Sequence, residues 1–190
     1  MRAMTLGACG VVAAFVALAT AAEAQSVDRS KWNLAFSLGG GSAGLHASGL
    51  SVDREVGSVF GFRGGYGFRP NMVIGVGAGG WLGEIGSETW NIVVFGPELT
   101  CYPSAGNAFL RLTVGVGTQT ATVGEATIPG KDDSGPGAIA GLGYELPIVR
   151  TVTLTIQGEY GYMNAGSDTW SDMINVHVGF AWYPHSLKAK

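Results

Sequence analysis

Leu110-Arg111-Leu112-Thr113-Val114-Gly115-Val116-Gly117 alternates a bulky apolar residue with a charged, polar or minimal one at every step. Successive side chains of a β-strand point to opposite faces, so the four apolar residues share one face and Arg111, Thr113, Gly115 and Gly117 the other. The same period continues towards the C-terminus. Ala140, Leu142, Tyr144 and Leu146 oppose Gly141, Gly143 and Glu145; Val152, Leu154, Ile156, Tyr160 and Tyr162 oppose Thr151, Thr153, Thr155, Gln157 and Glu159. Ile174, Val176, Val178, Phe180 and Trp182 oppose Asn175, His177, Gly179 and Ala181. Towards the N-terminus, Val93, Phe95, Leu99 and Cys101 oppose Glu98 and Thr100, and Met72, Ile74, Val76 and Ala78 oppose Gly75, Gly77 and Gly79. Phe60, Phe62, Tyr66 and Phe68 oppose Val59, Gly61, Arg63, Gly65 and Gly67; Trp32, Leu34, Phe36 and Leu38 oppose Asn33, Ala35, Ser37 and Gly39. The count is eight. Trp81 and Ile92 interrupt the third and fourth patterns by falling on the polar face.

Size decides which face is inside. The interior of an eight-stranded barrel is only just wide enough for side chains to fill it, and about four bulky residues from each strand would not fit. The face rich in Gly, Ser and Thr does fit. The expected arrangement is therefore inverted, with apolar side chains towards lipid and small or polar ones in the lumen. Hydrocarbon offers no partner to a bare backbone group, so the sheet must close. The predicted fold is all-β: a closed eight-stranded antiparallel up-and-down transmembrane β-barrel. The soluble competitor, a two-sheet sandwich, would have to expose the Gly-rich, partly charged face to water.

The connections carry a second signal. Arg69-Pro70-Asn71, Tyr102 to Asn107 and Pro147 to Arg150 are short links, whereas 39–57, 83–90, 119–137 and 163–172 read as loops rich in Gly, Ser and Asp. Short turns at one end and longer loops at the other match a bacterial outer-membrane barrel with periplasmic turns. Trp32, Phe68, Trp90, Tyr102, Tyr162, Trp170, Trp182 and Tyr183 lie near strand ends, where aromatic rings suit the membrane–water interface.

Arg2, the uncharged run Leu6–Ala22 and Ala22-Glu23-Ala24 read as a cleaved N-terminal signal peptide over residues 1–24. Leu6-Gly7-Ala8-Cys9 is no lipoprotein box, because the apolar run follows Cys9 instead of preceding it. Residues 25–183 are then the barrel and 184–190 a short periplasmic tail. The net charge of −3 suggests no nucleic-acid partner. Beyond residue 24, Cys101 is the lone cysteine, so neither a disulfide within the chain nor a two-cysteine metal site can form.

Phe95-Gly96-Pro97-Glu98-Leu99 running to Tyr102-Pro103, with an aromatic last strand, resembles the small outer-membrane barrels of the OmpA/OmpX and opacity-protein type. The resemblance covers residues 25–183. It implies a monomer in contact with outer-membrane lipid and lipopolysaccharide, handed to the barrel-assembly machinery through Phe180, Trp182 and Tyr183 of the last strand. In that family the aromatic signal is usually terminal. Here Pro184 to Lys190 follow it.

Signals for chemistry are sparse. Gly75 to Gly80 echoes a dinucleotide loop but lies within an alternating strand, where glycine makes room in a narrow lumen. His46 and Ser48 share a face, and with Glu55 as orienting acid they offer a nucleophile and base of the kind found in lipid A-modifying enzymes. Asp132, Asp133, Asp168 and Asp172 read as solvated loop carboxylates, and His177 has no second metal ligand at a recognisable spacing. No cofactor and no metal are expected. The remaining polar-face charges form an expected lumen network of Arg63, Glu98, Arg111, Glu145, Glu159 and His177. A turn centred between Ser104 and Ala105 places Glu98 directly across from Arg111. The expected function is non-enzymatic: a structural envelope or surface-contact protein acting through its extracellular loops. The alternatives are a narrow pore and, through His46 and Ser48, an enzyme.

Overall fold

The computed structural model describes residues 27–47, 50–85, 88–103, 106–123, 126–127, 133–166 and 169–184. The expected signal segment 1–24, Ser48, Asp132, Asp168 and residues 185–190 of the expected tail lie outside the described residues. Eight long strands form the wall: β1 (Trp32–Ala47), β2 (Leu50–Arg69), β3 (Met72–Ile85), β4 (Glu88–Cys101), β5 (Ala108–Val123), β6 (Asp133–Val149), β7 (Val152–Asn164) and β8 (Thr169–Trp182). Each is antiparallel to its neighbours in sequence, and β1 pairs with β8, from Leu34↔Trp182 to Ala47↔Thr169. That last ladder closes the barrel and removes both sheet edges.

The outer surface is the apolar face. Leu110, Leu112, Val114 and Val116 of β5 are each about half exposed, as are Leu34, Phe36 and Leu38 of β1 and Ile174, Val176, Val178 and Phe180 of β8. Arg111, Thr113, Glu98, Glu145, Glu159 and His177 are buried inside.

Three expectations need correction. The first concerns the loops. The stretches 39–57 and 83–90 are mostly strand: β1 and β2 stay paired to Ala47↔Leu50, and β3 and β4 to Ile85↔Glu88. Likewise β5 and β6 pair to Gln119↔Asp133, Ala126–Thr127 folds back on the tip of β5, and β7 pairs with β8 to Asn164↔Trp170. The composition of these stretches suggested loops because glycine and charge are poor strand formers on average. A hairpin anchored in a closed wall has already lost its loop-closure entropy, so extending the ladder costs little. Strands of 13 to 20 residues result. At ~3.3 Å per residue and a tilt near 40° they stand ~33–50 Å tall, beyond an apolar band of ~25 Å.

The second correction concerns the lumen. Much of its extracellular half is apolar: Ala43, Leu45, Val59, Trp81, Ile92, Val94, Ile139, Met163, Ala165 and Met173 form one buried cluster, with Trp90 packed against it. Trp81 and Ile92, the two interruptions of the alternation, point into it. Glycine makes the space. A Cβ on Gly83 would lie 2.3 Å from Trp81 Cζ2, and one on Gly57 2.6 Å from its Nε1. Trp90, Tyr102 and Tyr183 consequently leave the interfacial aromatic set, the two tyrosines being buried at 2% exposure.

The third correction is register. Glu98 stands opposite Thr113, and Arg111 opposite Thr100. The turn residues do not face each other as assumed, because each is bound to its other neighbour. Tyr102 N–H donates to the Asn71 carbonyl, and Glu145 N–H to that of Asn107. The slip is two residues, which keeps every side chain on its face.

Candidate functional site

The six charged lumen residues fall into two groups stacked along the periplasmic half of the barrel. Glu145 of β6, fully buried, organises the lower one. Its carboxylate faces Arg63 Nη2 at 3.0 Å and Arg29 Nη2 at 3.2 Å, and it accepts from Tyr102 Oη at 2.9 Å and Tyr183 Oη at 2.8 Å. Arg29 belongs to the segment before β1, which turns into the periplasmic mouth and leaves this side chain 2% exposed. Its guanidinium lies 3.9 Å from the Tyr102 ring centroid and donates to Asn107 Oδ1 at 3.3 Å. Gly67 admits the passing chain, since a Cβ there would lie 1.6 Å from the Arg29 carbonyl oxygen. Burial, and then the Glu145 carboxylate, raise both phenols above the ordinary tyrosine range. They therefore stay protonated and donate.

The upper group is a chain. Glu98 of β4 accepts from Thr113 Oγ1 at 2.9 Å and Thr100 Oγ1 at 3.1 Å, and faces Arg111 Nη2 at 3.3 Å. Arg111 Nη1 meets Glu159 Oε1 of β7 at 2.9 Å, and Glu159 Oε2 meets His177 Nε2 of β8 at 3.1 Å. His177 Nδ1 lies 3.3 Å from Ser37 Oγ, which also accepts from Gln157 Nε2. The Glu98–Arg111 contact is diagonal across the β4–β5 ladder, a distance that long side chains span. Gly77 of the glycine-rich run makes room for it, since a Cβ there would lie 2.1 Å from Glu98 Oε2.

Arg29, Arg63 and Arg111 thus balance Glu98, Glu145 and Glu159, each at most 6% exposed. Buried charges need such pairing, because desolvation is costly for each alone. Two lumenal cavities beside Arg63 measure about 10 Å³ each, room for about one water molecule. The arrangement ties strands of the wall together across the lumen.

Sequence reasoning missed Arg29, Tyr102 and Tyr183. Parity could have placed the tyrosines: Thr100 and Ala181 point inward, so the residues two positions on do so too. Nothing periodic precedes β1, so Arg29 carried no comparable signal.

His46 lies on the outer wall at the extracellular end, stacked on Trp170 with centroids 3.6 Å apart. Its acidic partner is Asp172, at 3.3 Å from Nε2, not Glu55. Glu55 pairs with lumen-facing Ala43 and so belongs to the opposite face. Asp172 is shared with Arg54, which also binds Ser42. Asp133 accepts from Gln119 Nε2 at 3.5 Å. Among the described residues no group of three metal-ligating side chains occurs.

The family model for the outer membrane protein beta-barrel domain matches residues 11–181. The chain belongs to this family. It is accordingly a protein of the bacterial outer membrane, an integral barrel of the small eight-stranded kind. Among solved structures it is similar to Neisserial surface protein A, with a TM-score of 0.54 and 14% identity over 80% of this chain and 96% of that one. It is also similar to Ail, the attachment invasion locus protein of Yersinia pestis, solved with the heparin analogue sucrose octasulfate. There the TM-score is 0.53 and identity 12%, over 80% of this chain and 99% of Ail. At such identities the shared property is the fold. No curated protein matches the sequence.

Proposed function

We propose that this family member is a non-conducting, non-enzymatic barrel that anchors an extended surface-contact rim. The carrying observation is the double closure of the lumen: a buried ionic network in the periplasmic half and an apolar plug around Trp81 in the extracellular half. The buried side chains that fill the described lumen at both levels support a bore without the continuous water a pore requires. The paired hairpin tips of β1–β2 and β5–β6 stand above the membrane band and are the parts available to an external partner. Lipopolysaccharide and outer-membrane lipid are the proposed surroundings, a monomer the proposed state, and the last strand the proposed contact for the assembly machinery.

Planar-bilayer recording tests the reading. Purified folded protein is expected to give no conductance steps at 1 M salt. Reproducible steps from unaltered protein would replace the anchor with the pore. Replacing Trp81 and Met163 together by Ala removes only the apolar layer and, with the ionic network intact, should still give no conductance.

A further inference from the structure

The outer surface carries a notch that the lumen does not explain. Trp182, Leu34, Gly64 and Val76 are cross-strand neighbours in one row over β8, β1, β2 and β3. Three of them project half-exposed apolar side chains, and Gly64 projects none. With Phe62 and Trp32 on its flanks, the row lines a groove of about 460 Å³ whose exposed lining is carbon alone. The row also climbs. Trp182 is the last residue of β8, whereas Gly64 and Val76 lie well inside β2 and β3, away from the turn at Arg69–Met72. A groove across strands tilted ~45° therefore runs obliquely from the periplasmic rim into the membrane.

We propose that this groove is a binding site for one acyl chain of an inner-leaflet phospholipid, entering between Trp32 and Trp182. It is continuous with the lipid-facing band, so hydrocarbon must fill it. No polar group lines it to hold a headgroup or water. It opens at the periplasmic end, where the inner leaflet lies and lipopolysaccharide does not. Between apolar surfaces in a bilayer, retention comes from close packing. A chain seated over Gly64, where Leu34 Cδ2 lies 3.1 Å from the place a Cβ would take, and walled on both sides packs more closely than one lying on the convex wall elsewhere.

Native mass spectrometry of the folded protein, titrated with phosphatidylethanolamine, reads the site. One lipid per barrel is expected to survive activation that strips the others. Gly64→Leu fills the notch and Val76→Phe narrows it from the far wall. Each should lower the retained fraction about tenfold, the equivalent of about ten lost carbon contacts. Gly158→Leu is the control. Gly158 also faces lipid, and a Cβ there meets nothing closer than 3.9 Å. Heat-dependent gel mobility establishes that each variant is folded, and either groove variant suffices. Retention unchanged in the folded groove variants overturns the proposal. So does equal loss in the control, preferential retention of lipid A, or a dimer peak that these substitutions abolish.

Discussion

The two halves of the lumen solve one packing problem by opposite chemistry. In the periplasmic half, three arginines and three glutamates neutralise each other, with Tyr102, Tyr183, Thr100 and Thr113 supplying further hydrogen bonds. In the extracellular half, Trp81, Ile139, Met163 and Met173 pack against one another with no ion pair within the cluster. An ionic layer fixes register, because each charge has few acceptable partners, and it fails badly when one is lost. An apolar layer fills volume and loses stability in proportion to the cavity made.

The largest effects should come from breaking each half at its centre. Glu145→Leu leaves Arg29 and Arg63 without their carboxylate in a dry site and should cost ~3–5 kcal/mol. Trp81→Ala opens a cavity in the apolar half and should cost a similar ~3–5 kcal/mol. Urea midpoints of refolded protein measure both. The two losses should add, since Glu145 and Trp81 share no partner among the contacts described for each. Strong coupling between them would merge the two halves into one unit.

Next comes the wall that both halves line. Val114 of β5 is 54% exposed on the outer face, and its neighbour Thr113 is fully buried on the inner. Val114→Arg should cost ~2–4 kcal/mol if it sits near the bilayer midplane. Thr113→Arg has no room beside Glu98 and should block folding. Equal tolerance of the two would mean the faces had been assigned backwards.

Which parts of this were legible in the sequence follows from the same contrast. Face assignment came from period two alone, and a two-residue slip leaves it intact. Glu98 and Arg111 therefore meet although they are not directly opposed. Polarity was a poorer guide: it identified the inward face where the filling is ionic and failed where it is apolar. Trp81 and Ile92 looked like defects because nothing in a single strand reveals that Gly57, on the neighbouring β2, joins Gly83 of β3 in vacating the space. The hairpin extensions were missed for a related reason. Their pairing depends on the closed wall beneath them, and local composition does not report it.

A double-mutant cycle on Glu98 and Arg111 sharpens the register correction. Arg111 serves Glu98 at 3.3 Å and Glu159 at 2.9 Å, so Arg111→Met leaves two carboxylates unmatched. It should cost more than Glu98→Gln, which keeps its two threonine donors. The double change should recover only part of the loss, because Glu159 still lacks its arginine. Coupling of ~1–2 kcal/mol fits a diagonal contact within a network. Full recovery would mean that Glu159 leans on His177 alone.

The smallest expected effect separates the halves by pH. Tyr102 and Tyr183 donate to Glu145 and are held protonated by burial and by that carboxylate, so their folded values lie above the unfolded one near 10. Above about pH 10 the unfolded chain releases these protons first and the folded chain retains them. Stability is therefore fully present below pH 10 and falls as pH rises through the folded values. Tyr183→Phe should cost ~1.5–3 kcal/mol at neutral pH by removing a hydrogen bond to a charged group. It should also flatten part of the alkaline decline. Trp81→Ala, in the other half, should lower stability at every pH and leave the slope above pH 10 unchanged. If the slope falls equally in both variants, the alkaline loss comes from general charging of the chain and not from the Glu145 group.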